Sequence, residues 1–332
     1  MNHKCKLKIK QFLKTFIPLL FGLLILWLIF YNMDFKEISK ALRNDVNYWI
    51  IALSLPFALI ANTIRAYRWH LLIQPLGYNP KKSNLIYAVW GNYGVNLGIP
   101  RFGEIWRCTM INRYEKIPFT KLVGTLITDR LSDLFSVAII VIIAFILNVP
   151  YFETFFEQHP DIFDKFKIIF SSVWTYAIII LIICAVGLCF VLFKEYPFIK
   201  KIKKTISDIW EGIRSILYMD KKERFIIYTL LIWICYFLYF YICFYAFPFT
   251  KDLGLNCGLI AFGMSSIAVA VPIPAGIGPW HFMVITALIG FGVSDTNAAA
   301  FALCTHTIQS ILFTALFGMF GVVALPIANK GK

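Results

Sequence analysis

Long apolar runs joined by basic connectors constrain this chain more than any other feature. Tyr48–Ile64, Leu122–Leu147, Ile168–Phe193, Phe225–Phe247 and Ala298–Leu325 are apolar almost throughout. A helix that crosses a hydrocarbon core about 30 Å thick needs about 20 mainly apolar residues. A slightly shorter run, Phe16–Tyr31, follows Lys4, Lys6, Lys8, Lys10 and Lys14. Long lysine stems can snorkel and help such a run to span. The run ends Tyr31-Asn32-Met33-Asp34 with no small-residue cleavage site, so it reads as an uncleaved first helix and not as a signal peptide. Six spanning helices result. Charged residues make up only 15% of the chain, against about 25% in soluble domains.

Three further runs are too short to span comfortably: Leu85–Ile99, Cys257–Val271 and Trp280–Phe291. Each adjoins a Gly/Pro break, Gly98-Ile99-Pro100 after the first and Pro272-Ile273-Pro274-Ala275-Gly276-Ile277-Gly278-Pro279 between the other two. Proline removes a donor and glycine frees the backbone, so helices stop there. A break at membrane depth survives only inside protein or beside water.

Charge sets the expected topology. Lys and Arg number five in residues 1–15, four in 65–82, five in 101–121 and nine in 194–224, against three in 32–47, two in 148–167 and one in 248–256. The positive-inside rule places the first group in the cytoplasm, with both termini there and the protein in the inner membrane. Both flanks of Leu85–Ile99 then lie on one side, so that segment enters and returns. Cys257–Phe291 enters and returns from the other face, or forms two thin spans. The net charge of +14 sits in connectors beside apolar runs. That suits anionic lipid headgroups, and no basic soluble domain is present to hold nucleic acid.

The chain therefore reads as an all-α polytopic membrane protein with about six full transmembrane helices plus two re-entrant or short-helix elements. Residues 1–15 form a basic cytoplasmic N-terminus, 16–326 a single transmembrane domain, and 327–332 a cytoplasmic tail. Within the domain, Ile202, Ile206, Ile209, Ile213 and Ile216 recur at helical spacing while Lys200, Lys201, Lys203, Lys204 and Arg214 lie mostly off that stripe. Residues 198–217 read as a basic amphipathic helix at the cytoplasmic interface.

An internal echo links the two breaks. Ile99-Pro100-Arg101-Phe102-Gly103-Glu104 can be laid over Ile273-Pro274-Ala275-Gly276-Ile277-Gly278, each behind a short apolar run. Paired interrupted segments in corresponding halves are a pointer to a transporter binding site, here as a weak inverted repeat.

Four groups are candidates for chemistry. Arg101, Glu104 and Arg107 share one helical face just after Pro100, where free N–H groups and a positive helix end suit a phosphate. Asp129, Arg130 and Asp133 fall inside the cytoplasmic end of a span, where charge is costly, so they face the interior and pair, with Arg101 or Arg107 as partners. Pro274, Gly276, Gly278 and His281 surround the second break, with a histidine able to change charge near neutral pH. Arg65, Arg68, Trp69 and His70 read as headgroup anchors. Each group also has a plain structural reading as salt bridge, cap or anchor. The eight cysteines form no C-x-x-C pair and read as buried apolar residues, with no metal site and no disulfide framework. No Walker loop, G-x-S-x-G or H-E-x-x-H occurs.

Arg101-Phe102-Gly103-Glu104-Ile105-Trp106-Arg107, Gly124-Thr125-Leu126-Ile127-Thr128-Asp129-Arg130-Leu131-Ser132-Asp133 and Pro272-Ile273-Pro274-Ala275-Gly276-Ile277-Gly278, in this order, resemble the transmembrane domain of lysylphosphatidylglycerol synthases. The same domain occurs alone as a flippase-like membrane protein family. The resemblance covers about residues 10–325 and implies lipid translocation. In two-part members a cytoplasmic domain aminoacylates phosphatidylglycerol and the membrane domain moves the product outward. This chain ends seven residues after Leu325, so it is expected to lack the synthase domain and not to be an aminoacyl-lipid synthase by itself. It departs from the family pattern in having aspartate at 129 where Glu-Arg is associated with it, and Trp280-His281 where a Glu is expected nearby.

Three functions follow as expectations. The first is a flippase-like translocator of an anionic, aminoacylated or polyprenyl-phosphate-linked lipid, needing no cofactor. Its partners would be membrane lipids and, in some settings, a separate lipid-modifying enzyme or a second copy of the chain. The second is an intramembrane lipid-modifying enzyme with Glu104 or His281 as acid or base, for which no nucleophile or metal is visible. The third is a membrane scaffold for a partner synthase.

Overall fold

The computed structural model describes residues 19–149 and 219–330, apart from Asn32, Ala270 and Pro272, together with isolated positions between 172 and 192. The expected span Ile168–Phe193 is met only at those isolated positions, and the basic N-terminus 1–15 and amphipathic helix 198–217 lie outside the described residues. Every regular element among the described residues is helical. In chain order they are α1 (Leu19–Phe30), α2 (Phe35–Asn44), α3 (Tyr48–Ile73), α4 (Lys82–Gly98), α5 (Phe102–Glu115), α6 (Phe119–Leu147), α7 (Lys222–Tyr241), α8 (Gly254–Val269), α9 (Pro279–Gly290), α10 (Asp295–Thr305) and α11 (Thr314–Ile327).

Four helical stretches are long and apolar enough to cross a membrane: Tyr48–Leu76, Phe119–Leu147, Lys222–Ala246 and Asp295–Ile327. Only 6% of the most apolar part of Phe119–Leu147 is buried inside the protein, so Leu134, Phe135 and Ile146 turn outward. In water such a surface would drive association, whereas in lipid it is solvated. The fourth stretch joins α10 and α11 through a π-helical segment, His306–Phe313, and runs on for 33 residues.

One sequence expectation shifts. The run Tyr48–Ile64 ends where charge begins, yet its helix continues to Ile73 and carries Arg65 and Arg68 inward. Residues 32–47 connect two apolar runs, yet 35–44 within them form α2, bent by 91° from α1. Asp34 caps it by accepting from the Lys36 amide, with Glu37 in the first turn and Arg43 in the last complementing the helix dipole. Ile38 and Ala41 are buried on the side that meets α10.

The short runs become two helical hairpins. Helices α4 and α5 pack on each other, as do α8 and α9. They occupy opposite ends of α3. Ile51, near its start, belongs to a core built from α7 to α10 that includes Trp280 and Val284, whereas Ala66–Ile73, at its end, belongs to a second core with Leu85, Ile111 and Leu122. The tips share a backbone device. Arg101 (φ 63°) and Ala275 (φ 53°), matched residues of the internal echo, both adopt the left-handed conformation directly after an Ile-Pro pair. That conformation costs an L-residue about 1–2 kcal/mol. Ala275→Gly is therefore expected to raise stability by about 0.5–1 kcal/mol, read as a modest increase in Tm in detergent.

Candidate functional site

The first hairpin carries the charged site. Its second helix starts under constraint: Pro100 ends α4, Arg101 turns left-handed, and the Asn96 side-chain oxygen accepts from the Gly103 amide at 2.8 Å, capping α5 from across the hairpin. Gly103 lets the helices touch, since a Cβ there would collide with the Asn92 carbonyl. Gly103→Val is expected to force the hairpin open and lower Tm by several degrees, whereas Gly98→Ala, with open space around it, is expected to leave Tm nearly unchanged.

This packing turns Arg107 toward α3 and α6. Asp129, fully buried on α6, receives the Arg68 Nε and Nη2 at 3.0 and 2.6 Å and the Arg107 Nη2 at 3.1 Å. Arg68 Nη2 also donates to Asp133 Oδ1 at 2.7 Å, and Arg65 pairs with Asp133 Oδ2. At the rim, Arg130 pairs with Glu104 at 2.7 Å and lies 3.7 Å from Asp133. Burial grades across the cluster. The Arg68, Arg107 and Asp129 side chains are wholly sealed, and Asp133 nearly so, while Arg130 and Glu104 remain 35% and 25% exposed. Four guanidinium groups thus meet three carboxylates.

Aromatic and polar side chains frame these charges. Arg107 lies over Trp69 with its guanidinium carbon 4.5 Å from the ring centre, and the Trp69 indole donates to Thr125 Oγ1 at 2.9 Å. Arg65 sits over Tyr236, whose hydroxyl donates to Asn62 Oδ1 at 2.9 Å and lies 3.3 Å from that of Tyr93.

The second hairpin gathers an uncharged group. Gly278 (φ 95°) starts α9, and a Cβ there would lie 2.5 Å from the Gly22 carbonyl oxygen of α1, so only glycine fits. Pro279 follows as the first helical residue, and the Gly278 amide donates weakly to His281 Nδ1 at 3.4 Å. His281 faces His306, with ring centres 4.3 Å apart, and His306 Nε2 lies 2.8 Å from the Ala275 carbonyl oxygen. The turn Pro274–Gly276 contacts α4, so the second tip reaches the first hairpin.

Of the residues singled out from sequence, Glu104, Arg107, Asp129, Arg130 and Asp133 come together around one centre, with Gly103 supporting it. Arg101 stands exposed at the tip. Pro274, Gly276, Gly278 and His281 form the separate group at the second tip. Arg65 and Arg68, expected as headgroup anchors, are instead buried partners of Asp133 and Asp129. Their spacing of three, matched to the spacing of four between the two aspartates, is the signal that pairs the helices. Tyr236, Asn62 and His306 carried no such signal, because none has an opposite charge at helical spacing to mark it as a member of the site.

Comparison with known proteins agrees with this architecture. A family model described as "Lysylphosphatidylglycerol synthase TM region" matches residues 15–318, a stretch that includes both hairpins and the whole charged cluster. The UPF0104 membrane protein MJ1595 of Methanocaldococcus jannaschii is similar to this chain at 20% identity over 336 residues, covering 98% of this chain and 97% of its own length. No solved structure gives a significant match. With the family model matching well over half of its length, this multi-pass membrane protein belongs to the lysylphosphatidylglycerol synthase TM region family.

Proposed function

We propose that the protein is a lipid translocator of the inner membrane, moving a lipid with an anionic headgroup between leaflets. The observation that carries this reading is the arginine-rich cluster where the first hairpin meets α3 and α6. Its charges grade from a sealed interior to a partly exposed Arg130–Glu104 rim. Charge is expensive in a spanning helix and is retained where it handles a polar substrate. A headgroup phosphate arriving at the rim would meet Arg101 and Arg130 first, then the buried guanidinium groups. The second hairpin, at the other end of α3, would serve the other leaflet in the manner of paired interrupted helices. The basic connectors beside this end support a cytoplasmic position for it and for both termini under the positive-inside rule. The buried groups hold one another in ion pairs and show no nucleophile next to a base, which favours transport over covalent lipid chemistry.

The test compares cells with and without the protein. The lipid inventory by mass spectrometry is expected to stay the same while outer-leaflet exposure of an anionic lipid falls when the protein is absent. A lipid species missing from the inventory would instead make this a lipid-modifying enzyme. Arg101→Ala and Arg130→Ala are expected to remove transport while leaving membrane insertion intact, because neither residue is sealed in the core.

A further inference from the structure

Two fully buried side chains at the first hairpin each leave two polar atoms unpartnered. Both amide atoms of Asn92, and Nε and Nη1 of Arg107, have no hydrogen-bond partner among the described residues. A buried polar group left without a partner is strongly disfavoured. These atoms belong to one layer of the hairpin. Asn96 accepts from the Gly103 amide, and Asn84 donates to Glu115, two bonds that fix an antiparallel register between α4 and α5. In that register residue 92 stands opposite residue 107.

Charge points the same way. In the sealed part of the cluster Arg65, Arg68 and Arg107 meet Asp129 and Asp133. Arg130 and Glu104 balance each other at the rim. One buried positive charge is left over, and a buried uncompensated charge calls for a counter-ion. Asp129 holds Nη2 of Arg107 and the Trp69 face fixes the guanidinium plane, so the unpartnered Nη1 presents a set direction.

We propose that Asn92 and Arg107 form an oxyanion subsite that takes a singly charged phosphate-type group. Arg107 donates through Nη1, and Asn92 donates through Nδ2. Asn92 Oδ1 accepts from a hydroxyl or water beside the anion. An amide suits position 92 because it adds a donor without adding a negative charge that would compete with the ligand. The group comes either from a lipid headgroup or from free phosphate. The inference rests on the cluster's reading as a headgroup site, but its test does not require transport.

The test is the Tm of the purified full chain in non-ionic detergent with dioctanoyl phosphatidylglycerol, inorganic phosphate or dioctanoylglycerol added. Dioctanoyl phosphatidylglycerol is expected to raise Tm and phosphate-free dioctanoylglycerol to leave it unchanged. An equal rise with inorganic phosphate would identify the free ion as sufficient, and a rise with the lipid alone would identify the headgroup. Asn92→Leu is expected to weaken the response at least tenfold in apparent affinity. Asn92→Asp places a carboxylate where the anion sits, so it is expected to raise Tm without additive and to abolish the response. The proposal is overturned if wild type ignores both phosphate-bearing probes, if Asn92→Leu responds like wild type, or if Asn92→Asp lowers Tm. Binding as expected together with no lipid movement in vesicles would reject the transport reading and leave the subsite standing.

Discussion

Asp129→Ala is expected to be among the most damaging single substitutions in this chain. Asp129 is fully buried and is the shared acceptor for Arg68 and Arg107, themselves fully buried. Its removal leaves two guanidinium groups in the interior with a single neighbouring carboxylate, Asp133, which already serves Arg65. Breaking a buried pair by deleting one partner costs about 3–5 kcal/mol, because the surviving charge stays desolvated. A membrane protein of ordinary stability would lose most of its folded population, visible as a collapsed Tm and a poor gel-filtration profile in detergent. Glu104→Gln makes the contrast. That pair is partly exposed, and exposed pairs contribute about 0–1 kcal/mol, so its Tm should barely move. Equal losses from both variants would contradict the graded burial.

Gly318→Leu is expected to have an effect of similar size by a different cause. Helices α4 and α11 approach closely enough for their backbones to touch. A Cβ at Gly318 would lie 2.5 Å from the Gly94 amide nitrogen, and one at Gly321 would lie 2.5 Å from that of Gly91. Between lipid-solvated helices, small residues of this kind permit the van der Waals contact that holds them together. Leucine would push α11 off α4 and strip Trp90 and Tyr87 of their contacts with Phe317 and Phe320. Overpacking of this severity costs about 3 kcal/mol or more. Gly124→Ala on α6, with nothing within 4 Å of the added Cβ, is expected to be neutral or slightly stabilising. Thermal melting of the three proteins side by side reads the difference.

Hydropathy and charge carried much of this architecture because they act locally. The basic flanks of Leu85–Ile99 and Pro100 after it singled out the first hairpin, whereas the Pro/Gly break between Cys257–Val271 and Trp280–Phe291 marked the second, with charge leaving two thin spans open there. The internal echo, resting on an Ile-Pro pair in sequence, acquires a physical basis in the matched left-handed residues Arg101 and Ala275. What escaped depends on which helices face each other. Arg65 and Arg68 follow an apolar run and resemble the many basic residues that anchor a span in headgroups. Only the presence of Asp129 and Asp133 across the gap turns them inward. The Gly94–Gly318 contact joins segments more than two hundred positions apart, so nothing local marks it. His306 begins a π-helical segment, His306–Phe313, that no proline or glycine in it marks in the sequence.

The central claim is that the arginine cluster at the first hairpin handles a lipid headgroup on its way between leaflets. Its most direct test is reconstitution of the pure full chain into vesicles containing acyl-labelled phosphatidylglycerol, followed by a membrane-impermeant reductant that quenches the outer leaflet. Protein-free vesicles should lose half of the signal. With the wild-type chain nearly all of it should be lost, and with Arg130→Ala the loss should return to half. Wild-type vesicles that behave like protein-free ones, or an Arg130→Ala variant that moves lipid as well as wild type, would contradict the account.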